Sequence, residues 1–200
     1  MRTPVAYDYV CYCSLTISVT FNCLRLYLLA TTTRVPLGSY KKLMMCFAVA
    51  SISYSTSDFI YRPIVLATKS GFITFSSNSA GFGKLGDHVA AFFCANYSNT
   101  IQFIAVHYIY RYFSVCEQKL LCLFSGRYFF LWFVPIGFAT VVWYLGIIFL
   151  LERTVSTDAI MRDELLGVYD ADVTNMTYFA VLYFSGASPF NALKNVRVDA

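Results

Sequence analysis

The chain has 200 residues, of which 58% are hydrophobic and 18% aromatic against 13% charged, with 16 Tyr and 19 Phe. That balance leaves too little polar surface for a water-soluble domain and, with a mean hydropathy of +0.59, excludes intrinsic disorder, a coiled coil and a disulfide-stapled miniprotein. The formal net charge of +4 comes from 15 Lys and Arg scattered between apolar runs, so the charge sets membrane topology and no nucleic-acid partner is expected.

An ionised side chain at bilayer depth is costly and a helical span needs about 20 apolar residues, so the charged residues punctuate the chain. The first window, Tyr9–Ala30, is apolar apart from Asn22 and Arg25. No small-residue cleavage pattern follows it, so it is a retained helix, and Arg25 lies near enough to one end to snorkel to the interface. A short turn from Thr31 to Tyr40 carries the breakers Pro36 and Gly38. The second window, Leu43–Leu66, is interrupted by Asp58 and Arg62, one helical turn apart and expected to offset each other near a boundary. From Lys69 to Asp87 the chain is rich in Ser and Gly around Phe72 and Phe75, which predicts a long loop folded back on the helices.

Val89–Tyr110 and Tyr128–Leu151 contain no Lys, Arg, Asp or Glu, and each is long enough as a helix to cross a hydrocarbon core of about 30 Å. Residues 152–200 read as a loop-like segment. Asp158 and Gly167 bracket a short helix, and the window Val173–Leu193 is too broken by Gly186 and Pro189 to span. The fold class is therefore all-α transmembrane with four spans. Arg34, Lys41, Lys42, Arg111, Lys119 and Arg127 fall on one side and Arg2, Lys69, Lys84, Arg153 and Arg162 on the other. This slight excess places the N-terminus outside.

Little in the chain suggests catalysis or a cofactor. The seven cysteines form no C-x-x-C pair and read as small apolar residues, with Cys116 or Cys122 a palmitoylation candidate beside the inner leaflet. His88 and His107 share one predicted helix but lie too far apart for a single metal. The His107 ring is expected to bond to a neighbouring helix. No nucleophile elbow, P-loop, dinucleotide fingerprint or zinc-protease pattern occurs, so neither an enzyme nor a metal site is expected. Asn96, Asn99 and Gln102 recur every third residue on span three and face a bundle interior, where they either line a ligand cavity or hold helices together. Asn96-Tyr97-Ser98 is a sequon buried in a span, whereas Asn175-Met176-Thr177 is a glycosylation candidate if its segment lies outside.

Span three closes on His107-Tyr108-Ile109-Tyr110-Arg111-Tyr112-Phe113-Ser114-Val115-Cys116. This segment resembles the end of the third helix in nematode seven-transmembrane chemoreceptors of the serpentine receptor class r (Str) superfamily, where Tyr-Arg-Tyr replaces the Asp-Arg-Tyr of rhodopsin-like receptors. Further blocks resemble the family in the same order. Leu37 through Met44 is similar to its first cytoplasmic turn, Asp58 through Pro63 to the end of its second helix, and Leu123 through Arg127 to the approach to its fourth. Arg162 to Glu164, Tyr169 and Tyr183-Phe184 resemble its second extracellular loop, although the family usually has Tyr-Trp at the last pair.

The resemblance implies an N-out receptor in the plasma membrane, in the sensory cilium of a chemosensory neuron. It implies recognition of a small odorant or water-soluble cue among the helices and activation of a heterotrimeric G protein through Tyr110, Arg111 and Tyr112. The family has seven helices, so the sequence is expected to be a partial seven-helix receptor bundle cut after the fourth helix. The family's disulfide from helix three to the following loop cannot form, because no cysteine follows Cys122. Two other readings stay open. One is a truncated, non-signalling four-helix membrane protein, and the other is a small transporter, which would move substrate into vesicles without a G protein.

Overall fold

The computed structural model describes residues 5–31, 38–67, 71–76, 85–150 and 178–182. Four long helices carry it: α1 (Val5–Thr31), α2 (Gly38–Tyr61), α3 (Gly86–Val115) and α4 (Phe133–Leu150). Three strands, β1 (Pro63–Ala67), β2 (Gly71–Ser76) and β3 (Tyr178–Leu182), complete the described elements with two 3₁₀ segments, Gln118–Phe124 and Tyr128–Trp132, before α4. All four helices are long and apolar enough to cross a membrane, the fourth when counted from Tyr128 to Phe149.

The sequence makes these helices self-sufficient in hydrocarbon. Several of their hydroxyls turn back onto their own backbones: Thr16 donates to the Tyr12 carbonyl at 2.8 Å, Ser51 to Phe47 at 2.9 Å, Thr56 to Ile52 at 2.8 Å and Thr140 to Ile136 at 2.7 Å. In lipid an unpaired hydroxyl has no water to turn to, so the carbonyl four residues back is its nearest acceptor.

The helices pack in chain order, α1 on α2, α2 on α3 and α3 on α4. The main core sits at the end of the bundle holding the start of α2 and the end of α3. There Leu43, Phe103, Val106, Phe124, Phe129 and Ile136 are buried together. Phe124 is its centre, stacked on Trp132 at 4.6 Å and meeting the edges of Tyr110 at 5.0 Å and Phe113 at 6.2 Å. The Trp132 indole N–H donates to the Leu123 carbonyl at 3.2 Å, which keeps the ring's one polar atom paired inside an aromatic cluster.

Three sequence expectations change here. The second span was expected to reach Leu66, but α2 stops at Tyr61. Pro63 has no N–H and disfavours a helical residue before it, and Arg62 adopts φ +50 with its N–H on the Asp58 carbonyl at 2.7 Å. Nor does Arg62 pair with Asp58. Its guanidinium goes to Asp8 of α1 at 2.8 Å, because at a helix end the side chain leaves the α2 surface and meets the neighbouring helix. The expected irregular loop also contains a strand. β2 lies between β1 and β3 in an antiparallel sheet, with Ile64 opposite Phe75 and Thr74 opposite Phe179. The fold-back is driven by aromatic burial: Phe75 and Phe179 are buried, and Phe72 and Phe179 pack with Tyr61, Ala90 and Phe93. A small sheet thus caps one end of an otherwise helical membrane fold. The short helix expected between Asp158 and Gly167 and the sequon at Asn175 lie outside the described residues.

Candidate functional site

Because α3 runs on to Val115, Arg111 lies one turn before its end, and Tyr110, Arg111 and Tyr112 are all helical. Steps of about 100° per residue turn the three side chains in different directions. Tyr110 turns inward, stacked on Tyr40 of α2 with 5.0 Å between centroids and edge-on to Phe124. Arg111 and Tyr112 are exposed. The Arg111 guanidinium stands beside the Tyr40 hydroxyl and has no carboxylate partner among the described residues.

A cleft of about 260 Å³ opens at this end, lined in part by Arg25, Tyr40, Phe47, His107, Tyr108 and Arg111. Arg25 has not simply run to the interface. It is half-buried, with its Cζ 5.4 Å from the Phe47 ring centroid, a cation–π contact that replaces part of its hydration. His107 does not bond to a neighbouring helix as expected. Its Nδ1 contacts the Phe103 carbonyl of its own helix at 2.9 Å, while the ring meets Phe47 of α2 edge-on at 5.2 Å. The helical backbone offers an acceptor four residues back, and the ring packs against the aromatic side chains of Tyr40 and Phe47 on α2.

The three amides of α3 are not gathered around one hollow. Asn96 is buried, accepts a hydrogen bond from Ser53 of α2 at 2.8 Å and donates to its own Phe92 carbonyl at 3.0 Å. Gln102 donates to Ser98 of its own helix at 3.2 Å. Asn99 is half-buried and makes no side-chain hydrogen bond among the described residues. A spacing of three residues drifts by about 60° per step, so the stripe winds off the α2-facing side after Asn96.

At the opposite end Asp8, Tyr7 and Arg62 tie α1 to α2. Arg62 lies over Phe59 at 4.8 Å and over Tyr12 at 5.4 Å, and the Tyr7 hydroxyl donates to the Pro63 carbonyl at 3.1 Å. His88 Nδ1 and the Tyr144 hydroxyl lie 2.9 Å apart, joining α3 to α4.

Residues 7–197 match the family described as serpentine type 7TM GPCR chemoreceptor Str. The chain belongs to this family. Among curated proteins it is 33% identical to the serpentine receptor class r-10 of Caenorhabditis elegans over 150 residues, covering 74% of this chain and 44% of that receptor. It is 27% identical to the G-protein coupled receptor str-33 of the same organism over 166 residues, covering 82% of this chain and 48% of the relative. The receptor str-217 is 24% identical over 84% of this Str chain and 50% of its own length. The chain thus spans about half the length of the curated relatives it matches. No solved structure matches it.

Family membership and four apolar helices make this a multi-pass membrane protein of the chemoreceptor class. Sequence reasoning singled out Arg111 but missed its surroundings. Tyr40 was assigned to a turn and Arg25 to a snorkelling anchor. The available signal was that Arg25 is the only ionised group inside the Tyr9–Ala30 window, and an intramembrane charge ordinarily has a partner or a task.

Proposed function

We propose that this Str chain forms the first four helices of a G-protein-coupled chemosensory receptor, oriented with its N-terminus outside and its Arg111 end in the cytosol. The observation that carries the coupling role is the state of Arg111: exposed, one turn from the end of α3, beside a phenol and free of any carboxylate among the described residues. A guanidinium so placed can take up an acceptor on a partner helix without first breaking an ion pair. Tyr112 flanks it on the exposed surface. Tyr110 acts from behind, by fixing the end of α3 against Tyr40.

On the ligand side, Asn99 is the amide free to meet a small odorant or water-soluble cue, since Asn96 is engaged with Ser53 and Gln102 with Ser98. The plasma membrane of a sensory cilium is the location that family membership favours.

The experiment is nucleotide exchange. The chain is co-expressed with the part of the class r-10 receptor that it does not match, and GTPγS loading of a heterotrimeric G protein is followed in the isolated membranes. Loading above that of either half alone is the expected result. Correctly inserted halves that assemble without raising exchange would favour the non-signalling four-helix reading.

A further inference from the structure

Two guanidinium groups share the cleft at the end of the bundle. Arg25 reaches it from α1 and Arg111 from α3, and neither has an acidic partner among the described residues. The Phe47 ring compensates Arg25 only in part, and two like charges lining one small hollow repel each other. A bound anion would remove both costs.

The third wall of the cleft narrows the chemistry. His107 Nδ1 contacts the Phe103 carbonyl, which places the ring proton on Nδ1 and leaves Nε2 an acceptor. That Nε2 is buried and has no hydrogen-bond partner among the described residues. A bare anion offers it nothing, because an acceptor requires a donor. A ligand that satisfies the whole cleft carries negative charge for the two guanidinium groups and a hydroxyl for the imidazole.

We propose that this cleft is a binding site for a phosphorylated polyol, its phosphate held between Arg25 and Arg111 and one of its hydroxyls donating to His107 Nε2. Guanidinium is the side chain best shaped to meet phosphate oxygens. The volume of about 260 Å³ lies below the roughly 300–1,000 Å³ that encloses a drug-sized ligand, and so suits a single headgroup. Lys42, Lys119 and Arg127 are exposed at the same end of the bundle, where they raise the local concentration of anionic lipid. An inositol phospholipid and a free polyol phosphate present the same groups. The site goes beyond the receptor reading and shares Arg111 with it, but Arg25 has no part in coupling and lipid retention is read without a G protein, so a failure of the site and a failure of coupling are distinguishable.

The test uses the full chain in two arms. In the first, it is reconstituted in phosphatidylcholine nanodiscs doped with phosphatidylinositol 4-phosphate or phosphatidic acid, and retained lipid is read by native mass spectrometry. In the second, inositol 1-phosphate is titrated into the detergent-solubilised chain. Wild type should retain the inositol lipid over phosphatidylcholine, and Arg25→Gln and Arg111→Gln should each lower retention about tenfold. Lys42→Gln and Lys119→Gln, which remove the same charge from the surface, should change it less than about twofold. Arg25→Lys, which keeps the charge, should recover most of the binding and so separate a lost site from a lost fold. His107→Phe should keep phosphatidic acid but abolish the preference for the inositol headgroup. Arg25-dependent binding in the nanodisc arm alone identifies a membrane lipid as the source, and in the soluble arm also a free polyol phosphate. Equal retention by wild type and Arg25→Gln, an equal loss with Lys42→Gln, or binding of an acidic peptide but neither phosphate probe would overturn the site.

Discussion

Asp8 and Arg62 lie 54 positions apart in the chain and 2.8 Å apart in space, so the first turn of α1 is bonded to the residue that immediately follows α2. The pair also accounts for an arginine at φ +50, a conformation that costs about 1 kcal/mol or more for a residue with a Cβ. The Asp8 carboxylate and the Tyr12 and Phe59 rings hold the side chain in place. Asp8 is 41% exposed, and solvent screening limits what the pair contributes. A double-mutant cycle of Asp8→Asn and Arg62→Gln, read by thermal unfolding in nanodiscs, should give a coupling of about 1 kcal/mol. Arg62→Gly should destabilise less than Arg62→Ala, because glycine adopts the left-handed backbone freely.

The two amides three positions apart on α3 separate cleanly by experiment. Ser53→Ala removes the donor to Asn96 across the α2–α3 interface and should lower stability by about 0.6 kcal/mol, the usual size of an interhelical hydrogen bond in a membrane. Asn99→Ala should leave unfolding unchanged. In cells carrying the complemented receptor, Asn99→Ala should shift the response to an activating cue while Ser53→Ala does not. The reverse pattern would move the ligand contact to Asn96.

Phe124 is fully buried, between the Trp132 ring and the edges of Tyr110 and Phe113. Phe124→Ala should cost about 3–5 kcal/mol through the cavity it leaves. Its effect should include loosening the end of α3, visible as faster hydrogen exchange around Tyr110. Phe124→Leu, which refills most of the volume, should recover much of that loss.

The helices were the legible part of this fold because their evidence is local. Two windows without a charge announce α3 and α4 unaided, and the Arg111 motif needs only ten consecutive residues to be noticed. What stayed hidden depends on distant partners. The apolar run Ile64-Val65-Leu66 reads as a continuation of α2, yet Pro63 turns it into a strand that pairs with β2. β2 in turn pairs with residues more than a hundred positions downstream, a match that no pattern in a Ser- and Gly-rich stretch announces. The Asp58–Arg62 spacing was persuasive for the same reason: an (i, i+4) pair is visible in sequence, whereas the competing partner on α1 is not. Tyr110, expected among the coupling residues, packs against Tyr40 and Phe124, both from other elements.

The sheet should behave as a unit separable from the helices. Phe75→Ala removes a fully buried ring from β2, and exchange protection of amides in β1 and β2 should fall while that of α3 persists. If α3 lost protection in parallel, the cap and the bundle would be one cooperative unit.

Orientation has a chemical reporter in the sequon Asn175-Met176-Thr177. With the N-terminus outside, expression in a eukaryotic cell should yield a glycosylated chain whose mobility shifts on glycosidase treatment. Asn175→Gln should abolish the shift. A glycan-free wild type combined with a cytosolic N-terminal epitope would invert the topology and place Arg111 on the wrong side for a G protein.

The central claim, that the exposed Arg111 end couples to a G protein, is tested most directly by nucleotide exchange with single substitutions in the complemented receptor at matched surface expression. Arg111→Ala should reduce GTPγS loading by about tenfold or more, since a charge-assisted contact is lost, while Lys119→Ala, an exposed cation beyond α3, should leave it within about twofold. Loading that is unchanged by Arg111→Ala, or lowered equally by Lys119→Ala, would contradict the assignment and leave Arg111 as one positive-inside anchor among several.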